Sequence, residues 1–299
     1  MVMTSTLSMP KKVRKIGSEH RKDSPLERFD PNTADPEYTG NYSRFEYIET
    51  FKDWVRVCKK GASPMAVRTR LYDLIQPLFD VLVNKGLSTT QRKAAWTAYD
   101  SAVKRAPAIL ADIYLGDFTE DRFRELVEEV SPAVSELENV RYHRKERNMD
   151  GALSINQVLK FFRRLSTDYG IYSLPTPDYF IGCACGASEI AFALGGITDT
   201  PANLIRRSKR RDDTKTHIIP EEKAILEKTL PGKIALCFED MVCSGRSLYY
   251  VMKEAKDLGA KEVVGAAPYQ NNGWDVTNEL RVIKREGEVY GGLNLFTLR

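Results

Sequence analysis

The sequence has few of the residues that build metal centres, catalytic triads or disulfide frameworks. Only three histidines occur in 299 residues, and none of them has a second metal ligand at a usable spacing. The sequence therefore predicts neither a zinc site nor a histidine-based triad. The five cysteines are odd in number and scattered along the chain. This pattern favours a reducing, cytoplasmic environment over a disulfide framework.

Long apolar runs and an excess of one charge are lacking as well. No stretch approaches the roughly 18 apolar residues that a membrane span requires. The basic cluster at residues 11–15 is not followed by the apolar core of a secretory signal. The 45 basic residues nearly balance the 41 acidic residues, so the net charge of +4 gives no reason by itself to expect a nucleic acid partner.

Composition divides the chain into three regions. Residues 1–44 are polar and rich in proline, serine and charge, which predicts an arm that is either mostly disordered or packed on the surface. Residues 45–150 carry apolar residues at helical spacing and end in a charged linker, which predicts an α-helical region. In residues 151–299, short apolar runs alternate with helical patterns, which predicts an α/β domain with a parallel sheet.

Capping residues mark three helix starts in the N-terminal region. Ser63 precedes Pro64, as an N-cap precedes a proline in the first helical turn. Ser88 and Gln91 have the spacing of a capping box. Thr119 precedes an acidic first turn. The region shows no pattern of catalytic residues, and its large aromatic side chains are expected in a core.

The most informative segment spans residues 232–268. Ile234–Phe238 is a continuous apolar run, as expected of a strand that is covered on both faces, and it ends in Glu239 and Asp240. A loop of serine and glycine then leads into a helix. Ligands of parallel sheets bind at the carboxyl ends of strands, and such a loop offers backbone N–H groups to an anion. Two acids beside a phosphate cradle suit a ribose 5-phosphate.

This segment resembles the phosphoribosyl diphosphate (PRPP) binding signature of type I phosphoribosyltransferases. The shared pattern is a strand, then Glu239 and Asp240, three further residues, and the sequence Ser-Gly-x-Ser. The stretches 231–233 and 258–264 are also similar to that family. The resemblance covers roughly residues 150–299, and it implies a parallel-sheet, phosphoribosyltransferase-type domain that follows a helical N-terminal region.

The resemblance implies a role for each residue of the pattern. Glu239 and Asp240 would be the catalytic pair, holding the ribose 2′ and 3′ hydroxyls directly or through Mg²⁺, which they would bind themselves or through water. The 5-phosphate would be bound, mainly by backbone N–H groups, by seven consecutive residues: Met241, Val242, Cys243, Ser244, Gly245, Arg246 and Ser247.

A second segment is similar to the pyrophosphate-binding loop of the same family. The run Tyr179–Cys183 reads as a strand and leads through small residues into a helix. Small residues let the backbone approach an anion closely. Family loops often carry Arg or Lys here and this one does not, so its backbone alone would contact pyrophosphate. The residues implied are Cys183, Ala184, Cys185 and Gly186.

The basic stretch at residues 206–211 has the position of the mobile loop that closes over the active site in this family. The resemblance implies that Arg207, Lys209 and Arg210 contact pyrophosphate. Two other interpretations stay open for the stretch. It is also typical of a solvated surface loop, and it would suit a contact with nucleic acid.

The activity implied is the transfer of ribose 5-phosphate from PRPP to a nitrogenous base or similar small acceptor, with release of pyrophosphate and with Mg²⁺ as the cofactor. In the 6-oxopurine enzymes of the family an Asp stands at the position of Cys243, which argues against those bases. The base would be selected by a variable hood, for which residues 269–274 and the helical region are candidates. The helical region would shape this hood, form a homodimer or bind a partner.

Two alternatives come from other classes of protein. A regulator that binds PRPP without turnover is favoured by the pyrophosphate-type loop without a cation, and disfavoured by the intact acid pair. A nucleic-acid-binding protein would use the basic segments and would show steeply salt-dependent binding. It leaves Glu239 and Asp240 unexplained.

Overall fold

We describe the protein from a computed structural model. The structure describes residues 50–83, 86–138, 140, 158, 161–162, 165, 177–184, 187–207, 216–242, 245–270 and 294–298. The predicted arm at residues 1–44 and the charged linker at residues 141–150 lie outside the described residues.

Four helices form the N-terminal part of the described chain. They are α1 (Phe51–Cys58), α2 (Pro64–Val83), α3 (Thr89–Leu115) and α4 (Glu120–Ser135). Their apolar faces share a core that includes Trp54.

The three helix starts indicated by capping residues are confirmed. The backbone N–H of Ala66 donates to the Ser63 hydroxyl at 3.3 Å, one residue before α2. Ser88 and Gln91 make both bonds of the capping box, at 3.1 and 3.2 Å. Thr119 is the N-cap residue of α4, although its side chain makes no capping bond.

The C-terminal part is built on a five-stranded sheet. Its strands are β1 (Tyr179–Cys183), β2 (Ala202–Ile205), β3 (Ile234–Phe238), β5 (Glu262–Ala267) and β7 (Asn294–Leu298), in the order β2-β1-β3-β5-β7. The first four in this order are mutually parallel, and β7 runs antiparallel to β5. The short strands β4 (Met241–Val242) and β6 (Tyr269–Gln270) form a second, parallel pair. The α/β class predicted from the sequence is confirmed.

Three helices connect these strands: α5 (Ser188–Thr198), α6 (Pro220–Thr229) and α7 (Arg246–Asp257). The chain leaves β1 through α5 to β2, and then returns through α6 to β3 on the other side of β1. The strand order therefore reverses between β1 and β3. Ligands of open α/β sheets bind in the crevice outside the carboxyl ends of the strands at such a switch point.

Helices α5 and α6 cover opposite faces of the sheet. A Cβ atom added to Gly195 of α5 would lie 3.8 Å from the Phe180 ring, so α5 packs on the Phe180 face. Phe180 pairs with Ala202 in the parallel register. The next residue, Asn203, therefore points to the opposite face, because side chains alternate along a strand. Asn203 donates a hydrogen bond to Glu222 of α6 at 3.0 Å.

The long helix α3 is bonded to both of these helices. In its first half, Arg92 donates to both carboxylate oxygens of Glu221 in α6, at 3.0 and 2.8 Å. In its second half, Tyr114 donates to Glu189 of α5. A Cβ atom on Gly196 of α5 would lie only 1.9 Å from a backbone carbonyl oxygen of α3. The N-terminal helices are therefore packed directly on the α/β layer.

Candidate active site

The acid pair directly follows the carboxyl end of β3. The backbone N–H of Glu239 donates to the carbonyl oxygen of Ala266 at 3.1 Å, which extends the β3–β5 ladder by one residue. Both acids are half-buried. Burial raises the pKa of the Glu239 carboxyl well above its usual value, and the negative charge of Asp240 raises it further. A cation between the two carboxylates would relieve this repulsion.

Cys183 meets the acid pair from the neighbouring strand. The register pairs Gly182 with Phe238, so the next residues on each strand, Cys183 and Glu239, lie side by side at the ends of β1 and β3. The Cys183 thiol is hydrogen-bonded to the Glu239 carboxyl. Burial, and then the charge of Glu239, raise the pKa of this thiol well above its usual value. Cys183 is therefore a neutral donor to the acid pair.

The loop after β1 is a tight turn at the carboxyl end of the strand. The N–H of Ala187 donates to the carbonyl oxygen of Cys183 at 3.1 Å, and the N–H of Ala184 donates to that of Ile205 at 2.9 Å. Gly182 is required next to this turn, because a Cβ atom there would lie 2.8 Å from the Ala187 carbonyl oxygen. Two other residues assigned to pyrophosphate, Cys185 and Gly186, lie outside the described residues.

The loop after β3 leads directly into helix α7. Met241 and Val242 form the short strand β4, and Cys243 and Ser244 fall within the undescribed part of the chain. Gly245 is the N-cap residue, with a φ of 72° that an L side chain rarely adopts.

Arg246 and Ser247 begin α7. The first N–H groups of a helix have no acceptor within the helix, and the Gly245 cap supplies no side-chain acceptor. Arg246 is exposed and Ser247 is half-buried. The predicted 5-phosphate segment thus ends at a helix N-terminus beside the acid pair.

Arg206 differs from the basic loop in which the sequence pattern had placed it. It is buried, pairs its backbone with His217 through hydrogen bonds of 2.9 and 2.7 Å, and forms an ion pair with Asp80 of α2. Arg206 therefore stabilises the fold at the start of the basic stretch. Sequence pattern alone missed this because the partner carboxylate lies in a distant helix.

The two residues that flank the undescribed segment 208–215 both contact α7. The guanidinium carbon of Arg207 lies 3.1 Å from the centre of the Tyr250 ring. At the other end, the Thr216 hydroxyl donates to Glu254 at 2.5 Å. Residues 250 and 254 are one turn apart, on one face of the helix that begins at the 5-phosphate segment. Lys209 and Arg210 lie outside the described residues, so their predicted contacts with pyrophosphate stay predictions.

A buried carboxyl on the α6 face was not expected from the sequence. Glu222 accepts hydrogen bonds from the Tyr99 hydroxyl at 2.9 Å and from Asn203 at 3.0 Å, and Tyr179 donates to Asn203 at 2.7 Å. Burial raises the pKa of Glu222 to about 8, although both hydrogen bonds lower it. In the sequence, Glu222 looks like an ordinary first-turn acid and Tyr99 like an ordinary core residue.

The described residues contain no cluster of three or more His, Cys, Asp and Glu side chains that would hold a metal ion. The two carboxylates of Glu239 and Asp240 fit a cation that takes its other ligands from water and substrate phosphates, which is the usual environment of Mg²⁺. Within the described part of the chain, every helix is too short or too polar to cross a membrane.

Comparisons with solved structures include a partial likeness. No protein-family model matches the chain, and no curated protein matches it. A purine phosphoribosyltransferase from Pyrococcus horikoshii Ot3 is similar in structure, with 26% sequence identity over 40% of this chain and 77% of that chain, and a TM-score of 0.32. This TM-score is too low to assign the chain to that class of protein.

Proposed function

We propose that this protein binds PRPP and transfers its ribose 5-phosphate group to a nitrogenous acceptor, with release of pyrophosphate. One structural arrangement supports the proposal. The half-buried acid pair Glu239–Asp240 lies at a topological switch point, between a tight turn of small residues after β1 and the uncapped N-terminus of α7.

Each part of this arrangement suits one part of PRPP. The N-terminus of α7 presents N–H groups and the positive end of the helix dipole to the 5-phosphate. The acid pair accepts hydrogen bonds from the two ribose hydroxyls. The turn after β1 faces the acid pair through the Cys183–Glu239 contact and would hold the pyrophosphate group.

Mg²⁺ is part of the proposal, with Glu239 and Asp240 as the residues that would hold it, directly or through water. When bound, it would offset negative charge on the pyrophosphate oxygens. Arg207 lies over Tyr250 near the same helix N-terminus and would add a second cation on this side.

The reaction would be a displacement at the anomeric carbon. The bond from this carbon to the pyrophosphate oxygen breaks, its electron pair leaves with pyrophosphate, and a bond to the acceptor nitrogen forms. No covalent nucleophile is required. The protein would align the reactants, offset the charge of the leaving group and exclude water, because hydrolysis competes with transfer.

Calorimetric titration of PRPP with Mg²⁺ tests the binding step. We expect binding in the micromolar range to the wild-type protein, and loss of at least about tenfold in affinity in Asp240→Asn. Asp257→Asn is the matched control, since Asp257 is exposed at the far end of α7 and pairs with Lys253 at 2.7 Å. If the folded wild-type protein does not bind PRPP, the proposal is wrong.

A PRPP-binding regulator is the second candidate, favoured by a β1 turn without any Lys or Arg in the sequence from Cys183 to Ala187. A screen of nucleobases for pyrophosphate release separates the two. Release with one base supports the transferase. Tight PRPP binding with no release from any base supports the regulator.

A further inference from the structure

The first turn of α5, directly after the β1 turn, carries an acid that two N-terminal helices hold. Glu189 follows Ala187 by two residues. Its carboxylate forms an ion pair with Arg68 of α2 and accepts a hydrogen bond from the Tyr114 hydroxyl of α3 at 2.5 Å. The Arg68 side chain is only 5% exposed, and that of Glu189 is 20% exposed.

The charge of Glu189 has opposite effects on the helix and on an anionic ligand. A carboxylate in the first turn stabilises a helix, because it faces the positive end of the dipole. The same charge would repel an anion bound at the preceding turn, and partial burial weakens solvent screening of that repulsion. Arg68 cancels the charge without placing a cation in the turn itself.

The N-terminal helices contact α5 near both of its ends, with the Glu189 cluster at the start and Gly196 near the end. The backbone carbonyl oxygen of Pro107 in α3 fills the place that a Cβ atom on Gly196 would need. The Tyr114 ring packs against Phe162, with centroids 5.6 Å apart. Because α5 is fixed to α3 near both of its ends, the start of α5 has a defined position relative to the N-terminal helices.

We propose that Arg68 and Tyr114 are positioning residues for the β1 turn. Through Glu189 they hold the first turn of α5, and Arg68 neutralises the carboxylate that would otherwise repel an anion at the turn. The identity of that anion as pyrophosphate rests on the proposed function. The mechanical link from Arg68 to the turn does not rest on it.

A double-mutant cycle on the ion pair tests the electrostatic part. The variants are Arg68→Gln, Glu189→Gln and the double variant, titrated with inorganic pyrophosphate and Mg²⁺. We expect about tenfold weaker binding in Arg68→Gln, near wild-type binding in Glu189→Gln, and recovery in the double variant. Arg105→Gln is the matched control, because it breaks an exposed ion pair between Arg105 of α3 and Glu129 of α4, which does not involve Glu189.

Two results would overturn the electrostatic part. Wild-type affinity in Arg68→Gln would show that the pair does not influence the turn. A double variant as weak as Arg68→Gln would show that Arg68 acts other than through Glu189, since removing the carboxylate would then rescue nothing. A purely structural role would lower the thermal stability without a recovery of affinity that depends on charge.

Hydrogen exchange keeps the test independent of the ligand. We expect faster exchange in the peptide covering residues 184–190 in Arg68→Gln, and no change in Arg105→Gln. Unchanged exchange in Arg68→Gln would overturn the mechanical link even if pyrophosphate binds. If the wild-type protein binds neither PRPP nor pyrophosphate, the proposed function fails while the exchange result still decides this inference.

Tyr114→Phe provides a second route should Arg68→Gln fail to fold. It keeps the ion pair and removes only the phenolic donor to Glu189. We expect faster exchange of the same peptide in this variant, and exchange identical to the wild type would contradict the proposal.

Discussion

The Cys183 thiol at the end of β1 is hydrogen-bonded to the Glu239 carboxyl at the start of the loop after β3. This contact joins the two loops that flank the switch point of the sheet. If Glu239 and Asp240 bind Mg²⁺ as proposed, this neutral donor would hold the Glu239 carboxyl in place without competing with the metal ion for it.

Removing the Cys183 thiol should weaken PRPP binding at the candidate site. Cys183→Ala removes a hydrogen bond that lowers the pKa of Glu239. A proton would therefore compete better with Mg²⁺ for the Glu239 carboxyl. A hydrogen bond of about 1 kcal/mol corresponds to about fivefold weaker PRPP binding with Mg²⁺ at neutral pH, measured by calorimetry. Cys183→Ser retains a donor and should bind more tightly than Cys183→Ala. Equal affinities of the two variants would contradict this role.

The buried Glu222 should make stability depend on pH. Its pKa is about 8 in the folded protein against 4.5 ordinarily. Between these values the folded state binds more protons than the unfolded chain, so this group lowers stability as pH rises through the window. The slope approaches about 1.4 kcal/mol per pH unit.

Glu222→Gln isolates this contribution, because Gln has the shape of the acid and stays neutral. Its unfolding free energy should be close to that of the wild type near pH 4.5 and should exceed it increasingly up to pH 8. Denaturant titrations across this range measure the difference. Glu227→Gln, on an exposed position of the same helix, is the control. A difference for Glu222→Gln that does not grow with pH would show that Glu222 is not held neutral.

The contact between α3 and α5 predicts a strong effect of one added methyl group. In Gly196→Ala the new Cβ atom would lie 1.9 Å from the carbonyl oxygen of Pro107, so the two backbones must separate. We expect a loss of about 1–3 kcal/mol in unfolding free energy, despite the better helix propensity of Ala. Gly86→Ala is the control, since among the described residues no atom beyond its chain neighbours lies within 4 Å of the added Cβ. Equal stability of the two variants would contradict the close packing.

The sequence predicted those features that depend on neighbouring residues. The capping box of Ser88 and Gln91 needs only a spacing of three. The strand Ile234–Phe238 is apolar throughout because both of its faces are covered. The apolar run and the two acids that follow it can therefore be recognised from the sequence alone, without knowing which strands pair with it.

Features that depend on distant partners could not be predicted in this way. The strand Ala202–Ile205 is only four residues long and leads into Arg206, which is buried because Asp80 neutralises it. The strand Asn294–Leu298 is defined by its antiparallel partner β5. Glu189 and Glu222 look alike as first-turn acids, and only their partners in α2 and α3 distinguish them from exposed ones.

The bonding of α3 to helices on both faces of the sheet has a consequence for cooperativity. Heat or denaturant should unfold the N-terminal helices and the sheet in one transition, because neither can open without breaking contacts of the other. A fragment that begins at residue 151 would leave Glu189 without Arg68 and Glu222 without Tyr99. Unfolding of such a fragment should therefore begin near Glu189 and Glu222, whose carboxyl groups would have lost these partners.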